Sequence, residues 1–147
     1  MGSDAPTFLS LFSGIGGFDL ALERAGWRCA GQVEIDPFCQ RVLATRWPGV
    51  ERARDVHRIQ CNGDGSIARG ISKPTILERR RIGTPSCDLL VGGFPCQDFS
   101  VAGKRAGLIG YRGTLFWEIV RIAKAITPSW GLFENVPGLL SSHRGRD

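Results

Sequence analysis

The sequence lacks the patterns that mark several classes of protein. It contains no run of about 18 apolar residues that would cross a membrane, and no charged-then-apolar start typical of a secretion signal. Its five cysteines include no Cys-x-x-Cys pair, and only two histidines are present. Neither a zinc site nor a disulfide framework is therefore expected. These absences predict a protein of a reducing compartment, the cytoplasm, with no bound metal and no membrane partner.

Length and charge indicate one basic domain. The 147 residues, of which 42% are hydrophobic, suffice for a single core. The net charge of +5 is concentrated between Arg52 and Arg81, where eight Arg and Lys residues outnumber three Asp and Glu residues. A basic segment of this kind suits a polyanion such as nucleic acid. It is equally compatible with a solvated insertion.

Strand and helix patterns alternate along the chain. Helical spacing runs from Phe18 to Gly26, and Pro37 suits the first turn of a second helix. Thr114 is a candidate N-cap for a third helix, from Leu115 to Ala125. This alternation predicts an α/β fold, a parallel sheet with flanking helices. The strands are expected at 7–12, 28–34, 50–56 (weakly), 87–91 and 130–133.

Two stretches carry no clear strand or helix pattern. Residues 57 to 84 lack a period and contain Asn62-Gly63-Asp64-Gly65, so we interpret them as a long loop or insertion. Residues 93 to 113 are rich in glycine, which predicts a second loop between a strand and a helix.

The conspicuous polar motifs all follow predicted strands. The carboxyl ends of parallel strands meet at one edge of a sheet, where α/β folds bind their ligands. The sequence therefore predicts a composite active site at that edge. Its members are Ser13-Gly14, Glu34, Asp55, Pro95-Cys96 and Glu134-Asn135.

The first three motifs suit a nucleoside ligand. The turn Gly14-Ile15-Gly16-Gly17 lets the backbone approach a ligand, although Asp19 replaces the third glycine of a dinucleotide fingerprint. Glu34 can accept hydrogen bonds from ribose hydroxyls, or can simply be a surface carboxylate. Asp55 can accept a hydrogen bond from an adenine amino group, or can cap a loop.

The last two motifs suit a nucleophile and an acid. Cys96 follows a proline inside a glycine-rich turn, and nearby cations would favour its thiolate; the alternative is a small buried side chain. Glu134 could donate a proton if burial at its strand end raised its pKa. Asn135 is better suited to orienting the backbone of the loop.

Five motifs occur in order along nearly the whole chain, and together they resemble the amino-terminal half of a cytosine carbon-5 DNA methyltransferase. Such enzymes serve restriction-modification or phage DNA modification, in a prokaryotic or phage-infected cell. The segments that match are Phe12-Ser13-Gly14-Ile15-Gly16-Gly17-Phe18, Glu34-Ile35-Asp36, Asp55-Val56, Gly93-Phe94-Pro95-Cys96-Gln97-Asp98-Phe99-Ser100 through Gly113-Thr114-Leu115-Phe116, and Glu134-Asn135-Val136.

The resemblance implies a Rossmann-like methyltransferase fold that binds S-adenosylmethionine. In that fold Phe12 would pack on the adenine, Gly14 and Gly16 would admit the amino-acid part, and Glu34 would hold the ribose. The adenine would also meet a group of side chains from later motifs. These are Asp55, Ile35, Val56 and Leu115.

The resemblance also implies a reaction and a substrate. Cys96, presented by Pro95, would add to carbon 6 of a cytosine flipped out of double-stranded DNA, and Glu134, next to Asn135, would protonate ring nitrogen 3. The loop after Cys96 would close over the DNA. The residues expected near the DNA are Gln97, Ser100, Lys104, Arg105 and Arg112.

The chain departs from the family pattern because it stops at Asp147. Family members continue into an arginine-bearing strand, a target-recognition domain and a helix that completes the cofactor pocket. We therefore expect residues 1–147 to form a partial catalytic domain, incomplete at its carboxyl side, whose missing motifs a second chain could carry. Two alternatives stay open: an RNA cytosine-5 methyltransferase relative, and a non-catalytic remnant that binds cofactor or DNA.

Overall fold

The computed structural model describes residues 5–61, 67–69, 87–95 and 113–136. Strands and helices alternate within these ranges. In chain order the elements are β1 Thr7–Leu11, α1 Gly17–Arg24, β2 Arg28–Val33, α2 Pro37–Arg46, β3 Arg52–Ala53, a 3₁₀ turn Val56–Arg58, β4 Gln60–Cys61, β5 Ile67–Arg69, β6 Leu89–Gly93, α3 Gly113–Ile126 and β7 Trp130–Glu134.

Five strands form one sheet in the order β3-β2-β1-β6-β7, and every neighbouring pair is parallel. This sheet confirms the predicted parallel α/β architecture. All residues of the central strand β1 are buried, as expected for a parallel strand covered on both faces. The carboxyl ends of the five strands lie at one edge, so the predicted site motifs share that edge.

Helices cover both faces of the sheet. On one face the buried side chains of α3, Ile119, Ile122 and Ile126, pack with Leu9 and Leu90 in the larger apolar cluster. On the other face a smaller cluster, which includes Phe8 and Val91, packs against residues of α1. The helical face predicted for α3 is therefore the face that packs on the sheet.

A buried polar network lies between α1 and the sheet. Asp19 is fully buried and accepts hydrogen bonds from Ser10 Oγ at 2.9 Å and Gln32 Nε2 at 2.8 Å. Cys29 Sγ lies 3.6 Å from the same carboxylate, and Arg52 Nη1 donates to Gln32 Oε1 at 3.1 Å. Burial raises the pKa of Asp19 because it disfavours the charged carboxylate.

One prediction of local structure was wrong, and the alternatives for another are narrowed. Thr114 is not an N-cap, because α3 already begins at Gly113. Residues 57 to 84 are not all loop, because β4 and β5 pair there as antiparallel strands. Two- and three-residue strands are too short to show a period, so the sequence did not reveal them.

The described residues contain no helix long and apolar enough to span a membrane.

Candidate cofactor pocket and catalytic edge

A cavity of about 470 Å³ lies at the carboxyl ends of the strands, within the size range of small-molecule sites. The residues that line it come from five separate parts of the sequence. Six of them were predicted as cofactor contacts: Phe12, Glu34, Ile35, Asp55, Val56 and Leu115.

The turn after β1 is shaped for close approach to a ligand. Phe12 has φ 53° and Gly14 has φ 55°, a left-handed conformation that costs free energy for a non-glycine residue. Ser13 supports this turn, because its backbone N–H donates to the Val33 carbonyl oxygen at 3.0 Å. A Cβ atom built on Gly14 would meet nothing within 4 Å. Gly14 therefore borders open space.

Gly16 has a packing role in the fold. A Cβ atom at this position would overlap the Trp47 ring, and the φ of 87° also favours glycine. Trp47 is itself buried at the end of α2. The contact of Gly16 with a cofactor stays a prediction.

Glu34 connects the turn after β1 to the end of β2. Its Oε2 accepts the Gly14 backbone N–H at 2.7 Å, and its Oε1 accepts the Asp36 backbone N–H at 2.7 Å. Each carboxylate oxygen can accept two hydrogen bonds. Both oxygens therefore keep acceptor capacity for a ligand hydroxyl while the backbone holds them in place.

Asp55 caps the 3₁₀ turn that follows β3. Its Oδ1 accepts the His57 backbone N–H at 3.0 Å and lies 2.9 Å from His57 Nδ1. The hydrogen bond from the His57 side chain lowers the pKa of Asp55. Asp55 is thus a cap, one of the two interpretations left open by the sequence, and it also lines the pocket. Its contact with an adenine stays a prediction.

Val56 and Ile35 contribute apolar surface in different ways. Val56 is 4% exposed and belongs to the core, so it forms the base of the pocket. Ile35 is 64% exposed, which leaves an apolar surface at the pocket mouth for a planar ring.

The predicted acid, Glu134, ends β7 beside β6. A Cβ atom built on Gly93 would lie 3.0 Å from Glu134 Oε2, so the carboxyl group sits directly over that glycine. Gly93 also lines the cofactor pocket. Glu134 is exposed, so the burial that the sequence argument invoked is not provided by the described residues.

Asn135 connects the ends of β6 and β7. Its Nδ2 donates to the Phe94 carbonyl oxygen at 3.3 Å, and its Oδ1 accepts the Val136 backbone N–H at 2.8 Å. Phe94 directly precedes Pro95, which is exposed and lines the pocket. The arrangement fits the backbone-orienting role considered for Asn135.

Six predicted site residues lie outside the described part of the chain: Cys96, Gln97, Ser100, Lys104, Arg105 and Arg112. Their roles stay predictions. Within the described ranges, no group of three or more His, Cys, Asp or Glu side chains could hold a metal ion.

The sequence argument missed Arg54 and His57, which line the pocket beside Asp55. The spacing Asp55–His57 was a usable signal, since aspartate often accepts a hydrogen bond from the backbone two residues on. Arg121 of α3 was also missed. Its Nη2 donates to the Val56 carbonyl oxygen at 3.2 Å, a contact across 65 residues that no local pattern reveals.

The parallel sheet with helices on both faces and the pocket at its carboxyl edge define an α/β protein whose pocket lies where such folds bind their ligands. The family model for C-5 cytosine-specific DNA methylases matches residues 6–147. The chain belongs to this family.

Named relatives agree with the family. The chain is 37% identical to the type II methyltransferase M.AquIA of Picosynechococcus sp. over 94% of its own length and 51% of the relative. It is 38% identical to M.AluI of Cellulosimicrobium cellulans, covering 91% of the chain and 23% of the relative. It is also 38% identical to the orphan methyltransferase M.SPRI of Bacillus phage SPR, and this match covers 93% of the chain and 28% of the relative. The chain thus spans about half or less of these relatives.

A solved structure shows the same fold. It is described as a DNA modification methyltransferase encoded within an Escherichia coli prophage, and it superposes with a TM-score of 0.66 at 28% identity. The match covers 92% of this chain and 33% of that one. It confirms the predicted methyltransferase fold.

Proposed function

We propose that this chain is the cofactor-binding and catalytic part of a DNA (cytosine-5-)-methyltransferase that uses S-adenosylmethionine. One observation carries the proposal. The pocket lined by Phe12, Glu34 and Asp55 extends to Pro95, the residue before the predicted nucleophile Cys96. A ligand in the pocket would therefore lie beside the backbone that leads to Cys96.

The donors and surfaces of the pocket fit S-adenosylmethionine. Phe12 and Ile35 offer apolar surface to the purine, and Asp55 offers an acceptor to its amino group. Glu34 offers acceptors to the ribose hydroxyls, and the open space at Gly14 admits the amino-acid part. When bound, the cofactor supplies the methyl group.

Two side chains would handle the cytosine. The Cys96 thiolate forms a bond to carbon 6 while Glu134 gives its proton to ring nitrogen 3, and the ring electrons make carbon 5 nucleophilic. After carbon 5 has gained the methyl group, its proton passes to a water molecule, the bond to sulfur breaks, and ring nitrogen 3 returns its proton to the Glu134 carboxylate. Glu134 and the thiolate are then restored.

The DNA would be held by the loop after the nucleophile. Gln97, Ser100, Lys104, Arg105 and Arg112 are the residues we assign to this contact, and a basic loop suits phosphates. Within the described residues the proposal is supported by Pro95, which lines the pocket, and by Asn135, whose Nδ2 donates to the carbonyl oxygen of the preceding residue, Phe94.

The remainder of the methylase fold would pack against β7 and α3. All five residues of β7 are exposed, and a groove of about 590 Å³ between β7 and α3 is lined by Phe116, Val120, Trp130 and Phe133. An apolar sheet edge of this kind is a surface for strand addition. We assign it to the later methylase segments, on the same polypeptide or on a second one, with residues 1–147 as a partial catalytic domain.

Covalent capture tests the function. The chain is incubated with S-adenosylmethionine and duplex DNA that contains 5-fluorocytosine, whose carbon 5 cannot lose a proton, and adducts are resolved on a denaturing gel. We expect an adduct with little sequence preference, absent in Cys96→Ala and retained in the matched control Cys39→Ser. An adduct that survives Cys96→Ala would overturn the nucleophile assignment. Capture on RNA but not on DNA would favour the RNA-directed alternative.

A further inference from the structure

Asp55 lines the pocket, and one of its two carboxylate oxygens already has hydrogen-bond partners in the protein. Its Oδ1 accepts the His57 backbone N–H and lies 2.9 Å from His57 Nδ1. Its Oδ2 has only Arg58 Nε nearby, at 3.9 Å, which is too far for a hydrogen bond. Among the described residues, Oδ2 is thus the acceptor left for a ligand.

The two contacts to Oδ1 have different origins. The backbone contact would form with any residue except proline at position 57, because it is an ordinary cap. The ring contact needs a side-chain donor there. It fills the second acceptor position of Oδ1, and rotation of the carboxylate would now break both hydrogen bonds.

The contact between Asp55 Oδ1 and the His57 ring also determines which ring nitrogen carries a proton. A carboxylate oxygen can pair with His57 Nδ1 only if that nitrogen carries a proton. In the neutral ring Nε2 then has no proton and is a second acceptor. The ring is 45% exposed and lines the pocket, so this acceptor is open to a ligand.

We propose that His57 is a positioning and specificity-determining residue, which directs Asp55 Oδ2 toward the 6-amino group of the cofactor purine. The inference rests on the proposed function, because it takes the pocket to bind an adenosyl ligand. The turn presents acceptors and no side-chain donor from Asp55 or the neutral ring of His57. It therefore favours a purine with an amino group over one without it.

Calorimetric binding of two ligands tests this assignment. One is S-adenosylhomocysteine, and the other is its analogue whose purine lacks the 6-amino group. We expect His57→Phe, which keeps a ring but loses the donor, to weaken the first ligand about three- to tenfold, the range of one hydrogen bond. The analogue should bind with nearly unchanged affinity, and His57→Asn, whose amide can donate to Asp55, should restore the preference.

A double-variant cycle separates positioning from direct contact. If His57 acts through Asp55, His57→Phe should cause little further loss of affinity for S-adenosylhomocysteine in an Asp55→Asn background. Arg58→Gln is the matched control from the same turn, because the Arg58 side chain is 85% exposed, and it should change either affinity by less than about twofold.

The tautomer gives a readout that needs no ligand. Nitrogen-15 shifts of the neutral His57 ring should show the proton on Nδ1, and a proton on Nε2 would overturn the inference. An equal loss of affinity for both ligands in a folded His57→Phe variant would also overturn the inference, since a purely structural role of His57 would have that effect. If the unsubstituted chain bound neither ligand, the proposed function would fail and the inference with it.

Discussion

Asn135 joins the two strand ends that carry the candidate catalytic residues, because its Nδ2 donates to the Phe94 carbonyl oxygen at 3.3 Å. Phe94 is followed by Pro95 and Cys96, and Asn135 is preceded by Glu134. This side chain therefore extends the β6–β7 pairing by one more hydrogen bond, between the backbone that leads to the predicted nucleophile and the backbone that carries the predicted acid.

Asn135→Ala removes the side-chain hydrogen bonds to both Phe94 and Val136. We expect it to slow covalent capture on 5-fluorocytosine DNA about two- to tenfold, the effect of losing the hydrogen bond to Phe94. Asn135→Asp distinguishes the two contacts of this side chain. It keeps an acceptor for the Val136 N–H but loses the donor to Phe94, so it should resemble Asn135→Ala. Wild-type capture by the aspartate variant would show that the Phe94 contact has no such role.

The absence of a side chain at Gly93 leaves room for the Glu134 carboxyl group. An alanine Cβ would lie 3.0 Å from Oε2, and a flexible side chain yields more easily than the sheet. Gly93→Ala should therefore slow capture at least tenfold, the scale of a misplaced acid, with little change in melting temperature. Gly49→Ala is the control, because its Cβ would meet nothing within 4 Å. Equal capture by both variants would contradict the placement of Glu134.

The sequence predicted the five sheet strands and the edge that carries the site, because apolar runs and turn residues are local signals. It could not show that Gly16 packs on Trp47, that Arg121 binds the Val56 carbonyl, or that Asn135 reaches Phe94. Such contacts join residues far apart in the chain, and their partners are decided by the packing of whole elements. For the same reason the sequence marked Asp19 only as a replacement for the third glycine of a dinucleotide fingerprint, and did not reveal its buried hydrogen bonds to Ser10 and Gln32.

Glu34 should matter for the cofactor more than for the fold. Glu34→Gln keeps one carbonyl acceptor but loses the second and the charge, so one of the Gly14 and Asp36 N–H groups loses its partner. We expect binding of S-adenosylmethionine, measured by calorimetry, to weaken about tenfold or more. Glu23→Gln, on the exposed face of α1, should bind as the unsubstituted chain does. Equal affinities of both variants would remove Glu34 from the ribose site.

Asp19 should make the stability of the fold depend on pH. Burial raises its pKa, so the folded chain holds this proton more tightly than the unfolded chain. Above about pH 4, unfolding therefore releases the proton, and the contribution of Asp19 to the free energy of unfolding falls as pH rises.

Asp19→Asn removes this titration, so the stability of the unsubstituted chain relative to the variant should be greatest below about pH 4 and decline as pH rises toward neutrality. Urea unfolding of both proteins across that range measures the difference. A difference that does not change with pH would mean that Asp19 has the same proton affinity in both states.

The exposed edge strand should make the isolated chain associate. Trp130 is 69% exposed and Leu132 45%, and an apolar strand at a sheet edge favours pairing with another chain. Sedimentation velocity should show association that rises with concentration, and Leu132→Lys should suppress it without lowering the melting temperature, since little packing is lost. Phe38→Lys, on α2 and also exposed at 60%, lies toward the opposite end of the sheet and should leave association unchanged. If both substitutions reduced association equally, general apolar exposure and not the β7 edge would be its cause.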